Sequence, residues 1–293
     1  MNINMKYYIV TIGAIFIALG VGILVGFNLN YDQALSKQQS EVLESFNTEF
    51  EDLKDKNKNL KVEIDSLNGD VDSIKEYIDK NIDILTADKL TDKNIGIILT
   101  SEKYDYSKEI EELIKKANGN VSFNIVIKDD INDEKKLATL AKDLNVEFKS
   151  SKEVINYIVS SLGSTKGYDQ LHGLEDFGLI KINNIEENKY VDYDSVVLLG
   201  ELTGKDSKSK FDAKDKLVLD KLKDENKYLV AVCQSDSNSE ILKLYSDNNI
   251  STIDNINEGM GKISLTTLLK NQNIVGNYGN HELAKELIAY ENN

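Results

Sequence analysis

Proline and arginine are missing from this sequence, and cysteine occurs once. The single cysteine, Cys233, excludes an internal disulfide framework and any CxxC zinc site. Without Arg, all 35 basic residues are Lys, so the chain has no bidentate fork for phosphate or carboxylate. Average usage would put about 15 prolines in a chain of this length. Their absence, beside many Lys, Asn and Ile residues, reads as codon bias. Positive charge is also in deficit. The net charge of −15 argues against nucleic acid or an anionic lipid surface as the main partner.

With 41% apolar and 29% charged residues, the chain is neither a multi-span membrane protein nor disordered. Its 293 residues allow two domains at most and a sizeable core.

Residues 7–27, Tyr7 to Phe27, carry no charge. As a helix they cover about 31 Å, the thickness of a hydrocarbon core. A secretory leader has a shorter apolar run, and here the run continues past Gly20 and Gly22, the positions where a leader would be cut. Lys6 precedes the run, and the first Lys after it is Lys37. The positive-inside rule predicts a cytoplasmic tail at residues 1–6 and everything after Phe27 outside. Tyr7, Tyr8 and Tyr31 stand where interfacial aromatics would. Ala14, Ala18, Gly22 and Gly26 recur every four residues, the small-residue spacing that lets two spans approach closely. The same residues also suit a plain lipid-facing surface.

Residues 33–88 predict a coiled coil. With Phe50 at position a, the a set is Phe50, Asn57, Ile64, Val71 and Ile78, and the d set is Leu53, Leu60, Leu67 and Ile74. β-Branched residues at a with Leu at d favour two parallel strands, and one Asn at a fixes the register. Glu49–Lys54 and Asp70–Lys75 attract across such a dimer, whereas Lys56–Lys61 repels. Leu35, Gln39, Val42 and Phe46 run in a shifted phase, a stutter near Phe46. The expectation is a homodimer, with Asn57 and Ile64 facing their counterparts. The alternative is one amphipathic helix packed on its own domain.

Residues 92–293 read as an α/β domain. Ile95–Leu99, Val121–Ile127, Ser195–Leu199, Tyr228–Cys233 and Ile250–Ile253 are short apolar runs. Between them lie helical patterns at Lys108–Ala117, Asn132–Leu144, Lys152–Leu162, Ala213–Asp224 and Glu240–Tyr245. Continuous apolar strands separated by helices predict a doubly wound, Rossmann-like, mostly parallel sheet. Ser164–Phe177 and Gly204–Lys210 read as loops.

Candidate chemistry is sparse. Gly259-Met260-Gly261-Lys262 follows a strand and precedes an apolar helix, yet it is neither GxGxxG nor GxxxxGK[ST] and reads as a tight turn. His172 reads as a loop residue and His281 as the opening of a last helix; neither has a Ser or Cys motif nearby. Asp129-Asp130 reads as a solvated helix start. No catalytic set emerges, so no enzymatic activity is expected. For a soft metal the chain offers one Cys, two His and three Met, of which Cys233, His281 and Met260 are the candidates, too few for a convincing copper site within one chain.

The layout of short basic start, one span, coiled coil and α/β domain resembles the MctB family of copper transport proteins. The most specific stretch runs from Asp254 through Gly259 and Gly261 to Leu269, then Gly276-Asn-Tyr278-Gly279. It is similar to the family's acidic-plus-glycine turn, apolar helix and closing Gly-x-Tyr-Gly. The start Ile12 to Gly26 also matches. The resemblance implies copper transport or copper homeostasis at the cell envelope, with copper as the only metal implied. Related members, called SteB, act with a membrane protein, SteA, in envelope assembly and cell separation. That implies a scaffold bound to a SteA-like membrane partner as the alternative. A single uncharged span is a poor lining for an ion path.

Overall fold

A computed structural model describes residues 5–103, 105–133, 136–137, 148, 150–200, 207–235 and 239–291; for 28–34 and 239 this covers the backbone only. The chain forms two units, Met1–Val71 and Asp72–Asn293. The helix expected over Asn132–Leu144 lies largely outside the described residues.

The first unit is helix throughout its described part, belonging to α1 (Met5–Lys80). Its stretch Met5–Phe27 has a mean hydropathy of 2.6, and none of it is buried. An uninterrupted helix puts Ala14, Ala18, Gly22 and Gly26 on one face, and nothing stands within 4 Å of where a Cβ would sit on either glycine. The a and d side chains from Phe50 to Ile74 are exposed, Phe50 at 58% and Ile64 at 54%, whereas Ile78 is half-buried.

The second unit begins with the last turns of α1 and the short helix α2 (Ile82–Thr86). The segment expected as one coil to residue 88 therefore breaks at Lys80. Thr86 and Leu90 are buried, so the chain there packs into the domain.

A seven-stranded sheet follows, in the order β3-β2-β1-β4-β5-β6-β7. Its strands are β1 (Asn94–Leu99), β2 (Asn120–Ile127), β3 (Ile180–Ile185), β4 (Ser195–Leu199), β5 (Tyr228–Val232), β6 (Ser251–Ile253) and β7 (Asn277–Tyr278). Every pairing is parallel except β2 with β3. Side chains alternate between two cores. Ile98, Val196, Leu198, Leu229 and Ala231 enter one, under α4 (Ser151–Leu162), α5 (Gly167–Asp176), α7 (Lys216–Asp224) and α8 (Ser239–Asp247). Ile95, Ile97, Leu99, Val197, Val230 and Val232 enter the other, under α3 (Ser107–Lys116) and α9 (Gly259–Asn271). Burial on both faces is why these strands are continuous apolar runs.

Several elements differ from the sequence reading. The expected loop Ser164–Phe177 holds α5, so His172 lies on a helix. Within the expected loop Gly204–Lys210, Ser207–Lys210 is helical (α6); it continues through a π-type turn at Phe211–Asp215 into α7. Edge strand β3 was not expected, because its sequence IKINNI is half polar. Among the described residues no helix follows His281; the chain there turns and lies beside β7 through a bridge from Tyr278 to Glu286. Gly261 lies inside α9 rather than in a turn before it.

Gly96 shows how tightly the β1–β2 joint is packed. A Cβ there would overlap the tip of the Phe123 ring. That ring meets Tyr193 edge-on, with centroids 5.0 Å apart. Gly96→Ala is expected to lower stability by about 1–3 kcal/mol through overpacking. Added to Phe123→Leu, it should cost less than about 1 kcal/mol, because the ring it strikes is gone. Urea midpoints of the four proteins in detergent form the double-mutant cycle that checks this.

Candidate functional site

A crevice of the α/β unit lies outside the carboxyl ends of β1 and β2. Its volume is about 520 Å³. Three segments line it: Thr100–Lys103 after β1, Ile127–Asp129 with Asn132 at the end of β2, and Lys210 with Ala213–Asp215 in the helical stretch after β4.

Two buried charged residues form its floor, Lys214 at 6% exposure and Asp215 at 2%. The Lys214 ammonium donates to the carbonyls of Thr100 (2.7 Å) and Ile127 (3.2 Å) and pairs with the Asp129 carboxylate. It thus ties the ends of β1 and β2 to the helical stretch after β4. Asp215 Oδ1 accepts from the hydroxyls of Thr100 (2.6 Å) and Tyr245. Burial pushes the Asp215 carboxyl above the usual range; the bonds from Thr100 and Tyr245 and the nearby Lys214 oppose this. Burial and the adjacent Asp215 hold the Tyr245 phenol well above its ordinary value. Gly200, at the end of β4, admits these groups: a Cβ there would strike the Tyr245 hydroxyl, with Asp215 Oδ1 at 2.8 Å.

The motif of the C-terminal third is assembled at the opposite margin of the sheet. Asp254, just after β6, accepts from the backbone N–H groups of Asn280 (2.7 Å) and His281 (2.6 Å). Its own N–H donates to Tyr278 O at 3.1 Å. Gly279 sits at φ 129°, and a Cβ there would overlap the Asp254 carboxylate. Gly276 makes room for the Tyr278 ring, with its hydroxyl 2.6 Å from where a Cβ would be. Gly261 lies against the Asn255 backbone. The Gly259 N–H donates to Asp79 Oδ1 at 2.6 Å, and a Cβ on Gly259 would meet both Asp79 and Ile78. The carboxylate at the end of α1 thereby meets the N-terminus of α9, where the helix dipole favours negative charge. The whole motif is occupied in joining β6, β7, α9 and the last turn of α1.

The metal-donor candidates are dispersed among different environments. Cys233 is buried in the α4/α8 core, its thiol 3.8 Å from Gly200 O. Met260 is buried in the first turn of α9. His281 lies in the segment after β7, and its Nδ1 accepts the Glu282 N–H at 3.1 Å. Among the described residues, no group of three or more His, Cys, Asp and Glu side chains is disposed to hold a metal ion. His172 stacks edge-on against Tyr168 at 4.5 Å, with Nδ1 3.4 Å from Glu175. Lys214, Asp215, Thr100 and Tyr245 escape a reading of the sequence, because Lys-Asp pairs recur along the chain and only tertiary burial sets this one apart. Asp129, read as a solvated helix start, opens a 3₁₀ turn and its carboxylate engages Lys214.

The family model described as copper transport outer membrane protein, MctB, matches residues 2–289. The chain belongs to that family. A comparison with curated proteins finds no match. The match takes in the apolar helix and the sheet together.

Removing the Asp254 carboxylate leaves two N–H groups without their acceptor. Asp254→Ala should cost about 1–3 kcal/mol and speed proteolysis between residues 279 and 291, read from urea midpoints and fragment masses. Burial raises the Asp215 carboxyl. It ionises first in the unfolded chain, so this group's contribution to stability is full below about pH 4 and falls as pH rises toward the folded-state value. Asp215→Asn should flatten that fall in a series of urea midpoints upward from about pH 4.

Proposed function

We propose that this chain serves copper homeostasis at the cell envelope as a single-pass, non-enzymatic membrane protein. The family match across residues 2–289, anchor and domain together, carries the reading. On this proposal residues 7–27 span the membrane, the short lysine-bearing start is cytoplasmic, and the domain is extracytoplasmic. The strand order of the sheet fits a Rossmann-like framework with a reversed edge strand. A second copy of the chain pairs along the heptad face. Its Phe, Leu and Ile side chains are exposed on α1, and burying them is favourable at about 25 cal/mol per Å². Pairing places Asn57 opposite its counterpart, where an amide partner suits it.

A second reading has its own support. The donor candidates Cys233, Met260 and His281 stand apart in three environments, and on this reading the chain is a scaffold that holds a SteA-like membrane protein in envelope assembly or cell separation. Both readings need the anchor and the pairing face.

Cells lacking the protein separate them. The full chain is expected to restore cellular copper content, and chains without residues 7–27 or with Ile64→Lys and Leu67→Lys are not. In membranes, Asn57→Cys in a Cys233→Ser background should cross-link as a dimer under oxidation. Copper content indifferent to the protein, with a membrane protein co-purifying in mild detergent, favours the scaffold. Monomer alone under oxidation removes the pairing.

A further inference from the structure

The crevice at the ends of β1 and β2 takes no part in anchoring or pairing. It adjoins the point where the sheet reverses its winding. From β1 the chain moves outward through β2 and β3, then returns to the other side of β1 for β4 to β7. Open α/β sheets take small ligands outside the carboxyl ends of their strands at such reversals. A volume of about 520 Å³ falls within the range of small-molecule sites.

Its charge runs against that of the chain. Lys103, Lys128, Lys210 and Lys214 line it, against Glu102, Asp129 and Asp215. Burial holds the Asp215 carboxyl toward its uncharged form, so the lining is cationic in a chain of net charge −15. Lys214 is fixed by the two strand-end carbonyls and Asp129, and Lys128 pairs with Glu102 at 3.3 Å, an exposed pair of small energy that a stronger anion can displace; Lys103 and Lys210 line the crevice from the other two segments. Several lysines brought to one crevice by separate segments suit a dianion better than a single carboxylate. Lysine is an established phosphate binder as a point charge, so the absence of Arg is no obstacle. The hydroxyls of Thr100 and Ser101 add polar contacts, and Ile127 and Ala213 add apolar surface beyond the room one phosphate needs.

We propose that this crevice binds a small organic phosphate monoester, its phosphate among Lys103, Lys128 and Lys210 beside the fixed Lys214, its organic part against Ile127 and Ala213.

The test is calorimetric titration of the full chain in detergent with ribose 5-phosphate and with AMP. Inorganic phosphate serves as the headgroup alone and ribose as the uncharged part. At least one monoester is expected to bind saturably, one per chain, more weakly as salt rises. Inorganic phosphate should bind less tightly, and ribose not at all. Lys103→Glu and Lys210→Glu, each with an unchanged urea midpoint, should weaken binding about tenfold or more. The proposal is overturned if neither monoester saturates at about 10 mM, or if both charge reversals leave affinity intact. Equal affinity for inorganic phosphate would overturn the assignment to a monoester.

Discussion

Burial of the central strands on both faces is the constraint from which the α/β unit follows. Once Ile95, Ile97 and Leu99 point into one apolar layer and Ile98 into the other, no polar side chain is cheap anywhere along β1. Charge is driven to the strand ends. The buried Lys214 is tolerated there because two strand-end carbonyls and a carboxylate satisfy its three donors. Asp215 is tolerated because two hydroxyls donate to it. The crevice is therefore a by-product of the same exclusion that forms the core, and the floor groups that tie it together are held rigidly.

The constraint also explains what a reading of the sequence can see. Strands β1, β4 and β5 are legible because burial on two faces leaves an unbroken apolar run with no competing period. Edge strand β3 is covered less completely, so its Lys181, Asn183 and Asn184 disguise it. Helix α5 starts at Gly167 and contains Gly173, which lowers its helical signal below that of its neighbours. It forms because Leu171 and Leu174 are buried in the core. The two-residue β7 has too little sequence to announce itself; it is held by Asp254 and by backbone pairing to β6. The crevice was illegible for another reason. Its residues come from three segments, within 100–103, 127–132 and 210–215, and none has an unusual local pattern.

Composition acts through the backbone as well. A chain without proline must stop its helices by other means. Helix α3 ends at Asn118, α7 near Asn226 and α8 near Asn249, each with positive φ. Asn enters the left-handed region more readily than most residues, because its short side chain bonds locally. The Asn118-Gly119 stop was visible in the sequence, and the Gly119 N–H bonds back to Ile114 O at 2.8 Å. Codon bias toward Asn thus supplies stop signals that proline gives elsewhere.

The residues that carry the family resemblance are the ones most fully occupied by structural contacts. Asp254, Gly279, Gly261 and Gly259 are each in contact with backbone or with a neighbouring side chain, and none lines the crevice. A carboxylate already accepting two N–H bonds at 2.6–2.7 Å is poorly placed to give up its oxygens to a metal ion. The motif therefore marks how β6, β7 and α9 are joined to the end of α1, and resemblance through it carries architecture more directly than chemistry. Chemistry peculiar to this chain is better sought in the crevice that lysines from three segments line than in the motif itself.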